Sequence, residues 1–199
     1  MSMENKKLYD RYLILVNASH PCQEEEKDIR LLPVCPDRPD ILLEEQAQRQ
    51  LSLLMEEIDG WKGIVPVSGW RSRKEQQEIF DTSIRESGEE FTRKFVALPG
   101  CSEHQTGLAI DLALKKEKVD FICPEFPCTG ICRRFRERAA AYGFIERYRK
   151  EKESVTGISG EPWHFRYVGA PHAEFMERHG ICLEEYWEMG IKAENVKGR

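Results

Sequence analysis

The sequence predicts one domain in which several short strands alternate with a few helices. Three observations lead there. The chain has 199 residues, 40% hydrophobic and 33% charged, which suits a single compact core and would cramp two full domains. Four apolar runs of strand length, Ile64 to Trp70, Gly107 to Leu114, Phe144 to Tyr148 and Trp163 to Val168, are bounded by turn residues. Two other segments repeat apolar side chains with the period of a helix: Leu43, Ala47, Leu51, Leu54, Met55 and Ile58, then Ile131, Phe135, Ala139 and Tyr142.

Taken in order, Tyr12 to Asn17 is aliphatic and ends at Asn17-Ala18-Ser19-His20-Pro21, so a strand and turn are expected. His20 has no carboxylate or second histidine near it in sequence and is expected to be structural or solvent-facing. Residues 22–40 carry Pro33, Pro36 and Pro39 and read as a loop-rich connection with a short strand at Arg30 to Val34. The helix over 43–59 is expected to stop at Gly60. After the strand Ile64 to Trp70, Ser72 and Glu75 have the spacing of a capping box, which starts a helix over Lys74 to Gly88. Phe91 to Leu98 reads as extended or loop, and Pro99-Gly100 as a turn. Lys115 to Gly130 is a polar, cysteine-bearing excursion. Gly143 ends the helix Ile131 to Tyr142, and Lys150 to Gly160 reads as a hairpin or flexible connection. Pro171 starts a helix that continues to His179, a short one spans Leu183 to Met189, and residues 1–10 and 193–199 are expected to be unstructured.

Composition excludes several classes. The net charge is -5, from 30 basic and 35 acidic residues, so nucleic acid is not the expected partner. The longest apolar run near the N-terminus, Leu13 to Val16, is too short for a signal-peptide core or a membrane anchor, so a cytoplasmic protein is expected. Seven cysteines, without a secretion signal, are expected to be thiols rather than a disulfide framework. Cys123, Cys128 and Cys132 cluster, but their spacing is not C-x2-C and no fourth Cys or His follows in the loop. They read as loop and helix-start thiols.

The chemistry concentrates in Gly100 to Asp111 and in Glu161 to Phe165. In the strand Gly107 to Leu114, Leu108, Ile110, Leu112 and Leu114 share one face, while Ala109, Asp111 and Ala113 share the other. An aspartate between alanines in an apolar strand is costly to bury unless it is paired or bound to a metal. Asp111 therefore has two readings, a metal ligand or a carboxylate bonded to backbone or an arginine. His104, Asp111 and His164 would together make a two-histidine, one-carboxylate set, which leaves a fourth zinc position for water. Glu161 is a spare carboxylate that could serve as base. Arg71 sits at a strand-to-helix junction, where it either acts in a site or pairs with a surface acid.

Ser68-Gly69-Trp70-Arg71-Ser72, Ser102-x-His104-x-x-Gly107-x-Ala109-x-Asp111 and Glu161-x-x-His164 occur in this order, and the set resembles the D-Ala-D-Ala zinc peptidases of the VanY/VanX type. The resemblance covers about residues 12–188 of a single domain spanning 1–199. The segments 95–104 and 156–169 look closest to the VanXY subgroup, which combines dipeptidase and carboxypeptidase activity in vancomycin-resistant bacteria. The resemblance implies an α+β fold with a small, mainly antiparallel sheet and flanking helices, of the Hedgehog/D,D-peptidase type. It implies zinc as cofactor, with His104, Asp111 and His164 as ligands, Glu161 as general base and Arg71 polarising the scissile carbonyl. Ser102, Gln76 and Tyr148 match substrate-touching positions. The implied partners are D-Ala-D-Ala dipeptide and peptidoglycan precursors ending in D-Ala-D-Ala. Rival readings are an L,D-carboxypeptidase or an L-Ala-D-Glu endopeptidase on the same scaffold, and a zinc-containing binding module without catalysis. Glu161 and Arg71 speak against the last, since a binder needs no base beside an open metal position.

Overall fold

The computed structural model describes residues 11–23 and 26–197. A hairpin of β1 (Leu31–Cys35) and β2 (Arg38–Glu44) leads directly into α1 (Glu45–Glu57). A four-stranded antiparallel sheet follows, built from β3 (Ile64–Ser68), β4 (Ala109–Leu114), β5 (Phe144–Tyr148) and β6 (Glu161–Tyr167) in the spatial order β3-β4-β6-β5. The remaining helices are α2 (Arg73–Ser87), α3 (Glu89–Phe95), α4 (Gly130–Ala139), α5 (Glu153–Thr156), α6 (Ala170–His179) and α7 (Leu183–Lys197). This is the expected α+β architecture with a small antiparallel sheet and flanking helices.

Strand alternation divides the sheet into two faces. Leu108, Ile110 and Leu112 join Trp163, Phe165 and Tyr167 in the main core, together with Leu51, Leu54 and Met55 of α1 and Phe135 of α4. Phe126, Phe135 and Phe165 pack edge to face at centroid distances of 5.7, 5.4 and 4.8 Å. Burying each such ring contributes roughly 1.5–3 kcal/mol, which is what anchors β6 on the core. The opposite sheet face carries Asp111 and His164. They are direct cross-strand partners, so their side chains lie side by side, and Ser68 is opposite Asp111 on the other flank.

Several elements differ from the sequence-based expectation. Tyr12 to Asn17 is not a sheet strand; only Asn17 makes a bridge, to His20. The carbonyls of Tyr12 and Ile14 accept hydrogen bonds from the buried Arg166 guanidinium instead of a neighbouring strand. Residues 89–95 form α3 rather than an extended segment. Glu89–Arg93 and Glu90–Lys94 pair at i,i+4, and Phe91 stacks near Phe95 one turn on, at 4.9 Å. Helix α1 ends at Ile58, and Asp59, not Gly60, takes the left-handed conformation. Residues 150–160 hold a short 3-10 turn and α5 rather than a hairpin. The last helix continues through the residues read as an unstructured tail, as far as Lys197, while 1–10, 198 and 199 lie outside the described residues. No helix among the described residues is long and apolar enough to cross a membrane.

Candidate metal centre and active site

Three backbone features deliver the site residues. Strand β3 ends at Ser68, and the Ser72–Glu75 capping box starts α2: the Glu75 N–H donates to Ser72 Oγ (3.1 Å) and the Ser72 N–H to Glu75 Oε2 (2.8 Å). Arg71 is thereby held between two rigid elements. His104 lies in a 3-10 turn, Glu103–Thr106, and its N–H reaches the Ser102 hydroxyl at 3.4 Å. Gly107 closes that turn at φ +71°, a conformation that glycine adopts without penalty, and redirects the chain into β4. Asp111 and His164 then come from adjacent central strands.

His104, Asp111 and His164 are all buried, and one ligand atom from each lies within 4.8 Å of the others. Among the described residues this is the group of His, Cys, Asp and Glu side chains arranged to hold a metal ion. His104 Nε2 faces Asp111 Oδ2 at 3.2 Å, and His164 Nδ1 faces Asp111 Oδ1 at 2.9 Å. His104 Nδ1 lies 2.7 Å from the Gly69 carbonyl, which can only accept, so Nδ1 carries the proton and Nε2 is left with a lone pair. A lone pair and a carboxylate oxygen facing each other in a buried site is an arrangement that a cation satisfies. Two imidazole nitrogens and one carboxylate oxygen match the donor set of a catalytic zinc, so the residues fit the ion.

The electrostatics follow from burial and from these contacts. Burial lowers the pKa of His104, with Arg71 acting in the same direction, while Asp111 opposes. Burial also disfavours protonated His164, but Asp111 and Glu103 outweigh it and push its pKa up to about 10 when no cation balances their charge. Asp111 would be raised by burial, yet His104 and His164 hold it well below the usual carboxylate range. Glu161, at 4.0 Å from His164 Nδ1, is pushed up to about 8 by burial, with Asp111 and Glu103 adding and His164 opposing.

A cavity of about 600 Å3 opens over this cluster. Arg71, Gln76, Ser102, Tyr148 and Glu161 all line it, so the structure brings together every site residue expected from sequence. Arg71 donates to Gln76 Oε1 at 2.7 Å and to Ser68 Oγ at 2.8 Å. Gln76 in turn donates to the Ala97 carbonyl at 2.7 Å, so its amide braces Arg71 against the chain beyond α3. The Tyr148 ring lies 5.0 Å from that of His164. Phe121 and Ile122 of the 115–130 excursion and Ile158 of the 150–160 connection also line the cavity. His20 is structural: its ring bonds Asn17 and packs on Trp187 at 4.9 Å. Cys132 is in the core, Cys123 packs beside it and Cys128 is exposed.

Sequence reading passed over Glu103, Arg147 and Arg166, although Arg147 and Arg166 are fully buried charges on the strands beside the site. The available signal was Arg166 itself, two residues from His164 in an apolar strand and so on the same face. Trp70 stands in the Ser68–Ser72 motif without a role of its own; among the described residues its Nε1 is the buried side-chain polar atom without a partner, and the residue lines the cavity.

The fold and this site define a peptidase with a candidate metal site of two histidines and one carboxylate. The chain belongs to the VanY family, D-alanyl-D-alanine carboxypeptidase, which matches residues 40–170. It is 42% identical over 175 residues to the bifunctional D-Ala-D-Ala dipeptidase and D-Ala-D-Ala carboxypeptidase VanXYC of Enterococcus gallinarum, covering 87% of this chain and 92% of that one. It is similar to the crystal structure of the vancomycin resistance D,D-dipeptidase VanXYg in complex with a D-Ala-D-Ala phosphinate analog, with a TM-score of 0.87 and 49% identity over 93% of this chain and 73% of that chain. A D,D-pentapeptidase VanY variant from a VanB-type resistance cassette, in complex with Zn(II), matches with a TM-score of 0.74 and 31% identity over 89% of this chain and 99% of that one.

Proposed function

We propose that this chain is a zinc-dependent D,D-peptidase, acting as a single cytoplasmic domain. It hydrolyses D-Ala-D-Ala dipeptide, or removes the terminal D-Ala from peptidoglycan precursor pentapeptide, and so contributes to vancomycin resistance. The observation that carries this reading is the buried His104–Asp111–His164 cluster with Glu161 at its edge and Arg71 in the same cavity. Identity to a bifunctional relative along most of both chains supports the substrate assignment.

His104, Asp111 and His164 would hold the zinc. When bound, zinc supplies a Lewis acid that acidifies water and polarises a carbonyl. Glu161 accepts a proton from the attacking water at its carboxylate and returns it to the leaving amine. Arg71 commits N–H donors to Gln76 and Ser68 and retains others for the oxygen that gains charge. Ser102 and Gln76 line the cavity and would donate to the free carboxylate of a D-Ala-D-Ala terminus, and Tyr148 forms the wall beside His164.

The test is D-alanine release from free D-Ala-D-Ala and from a pentapeptide ending in D-Ala-D-Ala, with zinc quantified. Glu161→Gln runs in parallel, with D-Ala-D-Ser and an L-Ala-D-Glu peptide as controls. Release from both D-Ala-D-Ala substrates, lost in Glu161→Gln while zinc stays bound, is the expected result; release from one narrows the activity to a dipeptidase or a carboxypeptidase. Zinc binding with release from neither overturns the D,D assignment, and cleavage of the L-Ala-D-Glu control then moves it to an endopeptidase.

A further inference from the structure

Beneath the metal cluster lies a second layer of charge that the reaction does not use. The Glu103 side chain has no exposure to solvent, and Oε1 accepts from Arg147 Nε and from Arg166 Nη1, each at 2.8 Å. Its other oxygen, Oε2, faces His164 Nε2 at 3.4 Å. Arg147 turns its remaining nitrogens onto Glu184 in α7, at 2.8 and 2.6 Å. Arg166 spends its remaining donors on the carbonyls of Tyr12, Ile14 and Tyr167. Two buried cations thus meet two buried anions with every contact accounted for. A well-packed apolar cluster of the same volume would be as stable or more so, so burial energy alone does not explain why charges stand here.

We propose that Glu103 is a positioning residue for the metal centre, holding the His164 ring so that Nε2 carries the proton and Nδ1 points its lone pair at the ion. This rests on the zinc reading above. Carboxylate oxygens only accept, so the nitrogen facing Glu103 must donate. A glutamine amide could turn its NH2 toward Nε2 and stabilise the opposite tautomer. The Gly69 carbonyl does the equivalent work for His104 at Nδ1. Each histidine is therefore gripped at the nitrogen away from Asp111 by an acceptor-only oxygen, and the ligating nitrogens are His104 Nε2 and His164 Nδ1. Arg147 and Arg166 both donate to Glu103 Oε1 and hold the carboxylate in place. Arg147 also backs the Tyr148 ring at 4.7 Å, and that ring packs on His164.

The test compares Glu103→Gln with Glu184→Gln, which removes an equivalent buried negative charge without touching His164. Zinc affinity is read by chelator competition, and stability by thermal melting of the metal-stripped protein. Glu103→Gln is expected to lose about 10–100-fold in zinc affinity. Glu184→Gln is expected to melt earlier but to bind zinc as the parent does. Equal zinc affinity in the parent and Glu103→Gln, with both variants only less stable, overturns the proposal. The unsubstituted protein supplies a second measurement that does not depend on the folding of Glu103→Gln: imidazole 1H–15N correlation spectra of the zinc-loaded chain should show His164 protonated at Nε2 in a hydrogen bond, and a proton at Nδ1 overturns the proposal too. A parent that binds no zinc defeats the zinc reading and this inference together, whereas a zinc-binding parent with the wrong tautomer defeats the inference alone.

Discussion

Gly69→Ala probes the join between the hairpin, the sheet and the metal cluster. A Cβ at 69 would meet Leu42 O at 2.3 Å and Ile41 Cγ2 at 2.9 Å. Relaxed contacts to carbon lie nearer about 3.5–4.0 Å, so β2 must retreat by about 1 Å. That retreat breaks the Trp70 N–H bond to the same Leu42 carbonyl, now 2.6 Å, worth about 0.5–1.5 kcal/mol net. Overpacking adds roughly 1–3 kcal/mol, for a total of about 1.5–4.5 kcal/mol. In a chain of this size the melting temperature should fall by roughly 3–18 °C. The Gly69 carbonyl also anchors His104 Nδ1 at 2.7 Å, so zinc affinity should fall by about 10–100-fold. Differential scanning calorimetry and chelator competition measure the two effects. Gly190→Ala is the control: its Cβ meets nothing within 4 Å in helix α7, and it should stabilise by about 0.5–1 kcal/mol. A Gly69→Ala protein that melts with the parent and binds zinc equally well would refute the reasoning.

Arg71→Ala removes the cavity's guanidinium and should lower kcat for D-alanine release by about 100–1,000-fold with zinc still bound, measured under substrate saturation; a loss below tenfold would show that Arg71 braces Ser68 and Gln76 and does little else. Phe165→Ala empties the position between Phe126 and Phe135 behind His164, and should cost about 3–5 kcal/mol in urea denaturation at an unchanged urea m-value. A cost below 1 kcal/mol would mean that the aromatic cluster does not anchor β6.

Legibility from sequence tracked how local the physics is. The Ser72–Glu75 cap, the α1 periodicity and the strands around Asp111 and His164 were readable because each depends on neighbours a few residues away. The costly aspartate between Ala109 and Ala113 pointed to a site before any partner was known. Helix α3 is not legible in the sequence because Phe91, Val96 and Leu98 suggest an extended run, and the i,i+4 ion pairs that favour the helix are individually weak. Tyr12 to Asn17 was misassigned because an aliphatic run does not say whether its carbonyls will meet a strand or a guanidinium.

The sequence by itself determined the strands and helices that frame the site and the residues capable of the chemistry: two imidazoles, an aspartate, a spare glutamate and an arginine at a strand end. Tertiary structure decided which atoms of those residues face one another. The register of β4 against β6 sets Asp111 beside His164, and the carbonyl of Gly69 selects the tautomer of His104. Tertiary structure also decided that Glu103 is gripped by Arg147 and Arg166, contacts spanning 44 and 63 positions in the chain. Hydrophobic period and capping are properties of a short stretch. A buried ion pair exists only once desolvation has been offset by a partner, and that partner is supplied by the fold.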